Sequence, residues 1–193
     1  MPENDFDREL LATTKIKVSS LEELSQKEKT ITNTKMILLA QKGISGSFDY
    51  THLKSIHKFL FDDIYQWAGL DRYEANITAK FGKGKTLFTP YDKLPTVANT
   101  LFNALKDENF FLGQCKEQFV ESSASFMNGL NILHPFREGN GRVQRSFMQL
   151  LAKKTGYELD FSNVTQEEMV LASINGAQGN LSNMLQILRK SMK

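Results

Sequence analysis

Residues 134–145 gather, within one short stretch, the side chains that handling a polyphosphate requires: His134-Pro135-Phe136-Arg137-Glu138-Gly139-Asn140-Gly141-Arg142, with Arg145 three positions further on. Gly139 and Gly141 permit close backbone approach and unusual φ values. The stretch leads into an apolar-periodic segment, so it is read as a loop feeding a helix N-terminus, where unpaired N–H groups and a partial positive charge favour phosphate. Arg142 and Arg145 fall on neighbouring faces of the first turn, and guanidinium groups grip non-bridging oxygens in paired hydrogen bonds. Glu138 adds a hard oxygen ligand of the kind Mg²⁺ shares with substrate phosphates. His134 has the chemistry of a base working near neutral pH. A cradle, a metal carboxylate and a base in nine residues describe nucleotidyl or phosphoryl transfer to a hydroxyl. Taken singly, each residue has a plainer use, as a turn or a solvated helix face; the combination carries the reading.

The elements that must hold this loop are mainly helical. Ser20-Leu21-Glu22-Glu23 has the pattern of a capping box, and the helix it starts is expected to end near Gly43. Asp49 is expected to cap a second helix whose face runs Leu53, Ile56, Phe59, Leu60, Ile64, Trp67, closed by Gly69. Helical period fails from Arg72 to Pro90, where Gly82, Gly84 and the strand-like Thr86-Leu87-Phe88-Thr89 suggest a short β-hairpin. Leu94, Val97, Leu101 and Leu105 restore a helix, followed by others over about 117–133, 141–154, 165–175 and 181–189. Residues 1–18 show no period and read as an irregular leader; residues 19–193 read as one domain.

Composition narrows the class. The chain has 193 residues, 40% of them hydrophobic, with a net charge of +2. That length suits one domain with its own core. The single Cys115 removes an internal disulfide framework. The longest apolar run, Met36 to Ala40, is far below the ~18 residues of a membrane span, and the acidic start lacks a secretory pattern. The expected setting is the bacterial cytoplasm, with secretion into a host cell as the alternative, and neither membrane nor nucleic acid as a direct partner. His52 and His57, five apart on one helix, lack the four-residue spacing of paired metal ligands and are read as structural.

The segment His134 to Arg142 with Arg145 resembles the signature of the Fic family, His-x-Phe-x-Asp/Glu-Gly-Asn-Gly-Arg-x-x-Arg, at every fixed position. Leu53 to Phe61, then Ile64-Tyr65-Gln66-Trp67-Ala68-Gly69 and Arg72, are similar to the helix upstream of it in that family. The resemblance implies a mainly α Fic-type domain with a β-hairpin flap, and a protein adenylyltransferase that moves AMP from ATP to a Ser, Thr or Tyr hydroxyl. It further implies that His134 deprotonates the hydroxyl, Glu138 holds Mg²⁺, and Asn140 meets the α-phosphate. Gly139 and Gly141 would supply backbone N–H groups, Arg142 would bind the departing β/γ-phosphates and Arg145 the γ-phosphate. Phe136 would anchor the loop in the core.

In that family the flap pairs with an extended segment of the target, a form of strand addition. Phe88, Lys80 and Lys85 are the flap positions expected to meet the target. The family's self-inhibitory motif, Ser/Thr-x-x-x-Glu-Gly/Asn, is not found: Glu3, Glu108 and Glu138 alone precede Gly or Asn, and none has the motif's context. The chain therefore resembles the class restrained by a separate small antitoxin bearing an inhibitory Glu helix. Type II topoisomerase subunits and small GTPases are the target classes implied. The alternatives are transfer of phosphate or another nucleotide-derived group, and a silent nucleotide-binding module.

Overall fold

Side-chain caps from Ser20, Asp49 and Thr165 open three of the helices in a computed structural model that describes residues 5–79, 81–83 and 86–193. After α1 (Asp5–Ala12), Ser20 accepts from the Glu23 N–H to open α2 (Leu21–Lys42), and Gly43 closes it at φ 67°. Asp49 accepts from the His52 N–H at 2.8 Å to open α3 (Tyr50–Phe61). Beyond the flap come α4 (Leu94–Asp107), α5 (Lys116–Leu133), α6 (Asn140–Thr155), α7 (Gln166–Ala177) and α8 (Ser182–Ser191). Strands β1 (Gly82–Lys83) and β2 (Thr86–Leu87) pair antiparallel, Gly82 with Leu87 and Lys83 with Thr86. Helix α5 is central, packed against α4, α6, α7 and α8, while α3 and α2 close over α6 from the other side. Leu130, Val143, Phe147 and Leu151 are fully buried between them. No helix among the described residues is long and apolar enough to cross a membrane.

Two expectations about the chain's first third are corrected. The leader is not irregular: it contains α1, and its next residues are bound to the domain. Lys15 N–H donates to the Ile64 carbonyl at 2.7 Å, Gln66 N–H to the Thr13 carbonyl at 3.1 Å, and the Trp67 indole to the Thr13 hydroxyl at 3.0 Å. The same pairing explains why α3 ends at Phe61 rather than running to Gly69. The bridge between Thr14 and Tyr65 draws residues 64–66 out of helical conformation, yet Ile64 and Trp67 stay buried. Tertiary hydrogen bonds override the periodicity. In α4 the buried face is Leu94, Ala98, Phe102 and Leu105, with Val97 at its exposed edge.

Candidate functional site

The loop 134–139 is pinned at both ends. His134 closes α5 in the left-handed region (φ 43°, ψ 59°), where its N–H still reaches the Leu130 carbonyl at 3.0 Å. A non-glycine residue there costs energy and needs outside support. Arg72, almost wholly buried, supplies it: Nε donates to the His134 carbonyl at 2.9 Å and Nη2 to the Thr89 and Leu133 carbonyls at 2.7 and 3.3 Å. The Arg72 N–H also holds the Pro135 carbonyl at 2.7 Å. Because Thr89 follows β2 and itself donates to the Ile132 carbonyl, Arg72 ties the flap's base to the end of α5.

Downstream, Phe136 is buried and stacks on His57 with ring centres 4.0 Å apart. Asn140 Oδ1 accepts from the Phe136 N–H at 2.9 Å, and its Nδ2 donates to the Phe136 carbonyl at 2.7 Å. The amide expected to meet phosphate is thus engaged in closing the loop. Gly139 sits at φ 80°, and a Cβ there would lie 2.2 Å from the Phe61 ring, so glycine is required twice over. Gly141 lies in the first turn of α6 without a left-handed φ, and a Cβ there would meet the Arg145 guanidinium at 3.3 Å.

The two arginines are not equivalent. Arg142 stacks over Phe61 and donates to Glu28 on α2 at 2.5 Å and to Thr32 at 3.1 Å. Glu28 also accepts from the Tyr65 hydroxyl. Arg145 is half-buried and has no carboxylate partner among the described residues. Burial and the neighbouring Arg142 both push its pKa down. A desolvated cation beside a second cation and a helix N-terminus is a receptor for an anion.

Glu138 is half-buried, and its carboxyl pKa is raised by burial first and by nearby Glu28 second, partly offset by Arg142, Arg137 and the Gly139 N–H. A cation relieves both causes, so the donor chemistry suits a hard divalent ion. Among the described residues no group of three or more His, Cys, Asp or Glu forms a cage. An ion at Glu138 would therefore be shared with phosphate oxygens.

The His134 ring lies parallel to Phe88 at 3.7 Å, so the flap covers the ring assigned as base. Phe88 is half-buried against the site, while Leu87 beside it is 76% exposed. Lys80 and Lys85 fall outside the described residues. Sequence reasoning missed Glu28 and Thr32, which lie more than 100 residues from the loop with no local motif to mark them. It also undervalued His57, whose Nε2 reaches the Glu138 carbonyl.

A model of the Fic/DOC family matches residues 47–152. The protein adenylyltransferase VbhT of Bartonella schoenbuchensis is 37% identical over 154 residues, covering 80% of this chain and 31% of VbhT. A protein adenylyltransferase of Bartonella henselae is 36% identical over 163 residues, covering 77% and 29% respectively. The chain thus spans less than a third of the length of these two relatives. Among solved structures, the N-terminal Fic domain of a VirB-translocated Bep effector from Bartonella quintana, with bound ADP, superposes with a TM-score of 0.88 at 28% identity. That match covers 93% of this chain and 89% of the other.

Proposed function

Since the chain belongs to the Fic/DOC family, we propose that it is a protein adenylyltransferase, transferring AMP from ATP to a Ser, Thr or Tyr hydroxyl of another protein. The observation that carries the reading is Arg145, a half-buried guanidinium lacking a carboxylate partner among the described residues, set one turn inside the N-terminus of α6. That position suits the γ-phosphate. Arg142, already oriented by Glu28 and Thr32, takes the departing phosphates, and the first N–H groups of α6 face the α-phosphate. His134 takes the proton of the incoming hydroxyl, whose oxygen forms the new bond to α-phosphorus as the bond to the β-phosphate oxygen breaks and pyrophosphate leaves. Glu138 would hold Mg²⁺, which when bound neutralises charge on the transferring phosphates. Phe88, stacked on His134, marks where the flap delivers the target segment. Names of relatives support the same reading: VbhT is a protein adenylyltransferase, and ADP is bound in the Bartonella quintana domain.

Restraint, on this reading, comes from a separate small protein whose helical Glu pairs with Arg145, and the target is a type II topoisomerase subunit or a small GTPase. ATP labelled at the α-phosphate, added to a bacterial lysate, should label a protein band, whereas γ-labelled ATP should not. Labelling from the γ-position alone would replace adenylyl transfer with phosphoryl transfer.

A further inference from the structure

His57 lies on α3, 81 residues before Glu138, with its ring fully buried. Phe136 stacks on it at 4.0 Å and 16°, and Phe61 at 4.8 Å and 29°. Both ring nitrogens are engaged. The Gly69 N–H donates to Nδ1 at 2.8 Å, so Nδ1 carries no proton. Nε2 then carries it and donates to the Glu138 carbonyl at 3.2 Å. Nothing about this ring suits a base or a ligand, because neither nitrogen has a free lone pair facing the site.

The bond to Glu138 falls at a sensitive place. The Glu138 carbonyl belongs to the peptide unit whose other end is the Gly139 N–H, and a peptide unit turns as one plane. Its direction sets both the path of the Glu138 side chain and the entry into α6. Gly139, at φ 80°, has the widest conformational freedom in the loop. Without an outside anchor the plane could rotate cheaply. The rest of the loop is anchored by its own backbone contacts through Arg72 and Asn140, but this peptide is not among theirs.

We infer that His57 is a positioning residue for the transfer reaction, fixing the 138–139 peptide so that the carboxylate of Glu138 and the first N–H groups of α6 face the same nucleotide. This rests on the adenylyltransferase reading only for its kinetic arm.

Two near-isosteres separate the role from simple packing. The amide nitrogen of Gln reaches roughly where Nε2 sits, and the amide oxygen of Asn roughly where Nδ1 sits. His57→Gln keeps the donor to Glu138 and loses the partner of Gly69; His57→Asn does the reverse. His57→Gln should retain most of the transfer. His57→Asn should lose roughly 10- to 100-fold, mainly in kcat, as outer-layer partners of catalytic groups commonly do. Hydrogen exchange at residues 139–142 should accelerate in His57→Asn more than in His57→Gln. If transfer follows melting temperature in both variants, whichever atom is lost, the inference is overturned. Should neither variant fold, ¹⁵N NMR of wild-type His57 still decides. Protonation at Nε2 supports it, and protonation at Nδ1 removes the bond on which it stands. A wild-type chain that transfers nothing would refute the activity while leaving the exchange and NMR results to judge His57.

Discussion

Charge at single residues sets how the loop meets a nucleotide. The Glu138 carboxyl is raised above its usual pKa by burial and by Glu28. Its ionised form is therefore held at a cost in the folded chain, and stability falls as pH rises through the carboxylate range toward the folded pKa, staying lower above it. Glu138→Gln should accordingly melt at a higher temperature than wild type at about pH 7 without nucleotide or Mg²⁺. The difference should close once the medium is acid enough to protonate Glu138, and a differential-scanning series across pH measures it. The same variant should be nearly inactive, a local trade of stability for function. His134→Ala should lower transfer by ~10²–10⁴-fold, the usual contribution of a general base. ATP affinity by calorimetry should be almost unchanged, because the His134 ring lies against the flap residue Phe88. Weakened ATP binding that accounts for the whole loss would move His134 from proton transfer to nucleotide contact.

Elements converge on the loop and the start of α6 from four directions: α2 through Glu28 on Arg142, α3 through Phe61 and His57, the segment after α3 through Arg72, and α6 through Asn140. Gly139→Ala forces a side chain into the left-handed region and against Phe61. It should cost at least about 2 kcal/mol in urea unfolding, since such strain alone is worth about 1–3 kcal/mol. The pairing of α2 with α6 can be weighed by a double-mutant cycle on Glu28→Ala and Arg142→Ala. Both side chains are mostly buried, at 12% and 22% exposure. A coupling of about 1–3 kcal/mol is expected, above the ~0.2–1 kcal/mol of exposed pairs. Less than about 0.5 kcal/mol would mean the two helices are held by apolar packing alone. These cross-chain contacts are the part of the site that the sequence hides. His134, Glu138, Gly139 and Arg145 announce themselves by type and spacing within twelve residues. Glu28 sits in an unremarkable charged helix, and only the fold brings it to Arg142. Helix starts at Ser20 and Asp49 were readable because a side-chain cap is a local event. The end of α3 was not, because it is decided by strand-like pairing with residues 13–15.

At the scale of the whole molecule, α1 and the segment after it clasp the turn below the site, and Glu9 reaches the buried Arg137 of the loop at 3.2 Å. Beside the site, the Leu87 edge of the flap is exposed. With no carboxylate placed on Arg145 among the described residues, the proposed adenylyltransferase should arrest growth when expressed alone in bacteria. His134→Ala should be harmless, and a small partner with a Glu-bearing helix should restore growth. Equal growth of wild type and His134→Ala would point to a target absent from that host or to an inactive chain, and self-modification in vitro separates the two. The central claim is tested most directly by the products. Purified chain, ATP, Mg²⁺ and a lysate protein that becomes labelled should yield, by mass spectrometry, one AMP esterified to a Ser, Thr or Tyr of that protein. Pyrophosphate should be released in equal amount, and both should vanish in His134→Ala. Phosphate on the target with ADP as the second product, or release of pyrophosphate without any modified hydroxyl, would contradict it.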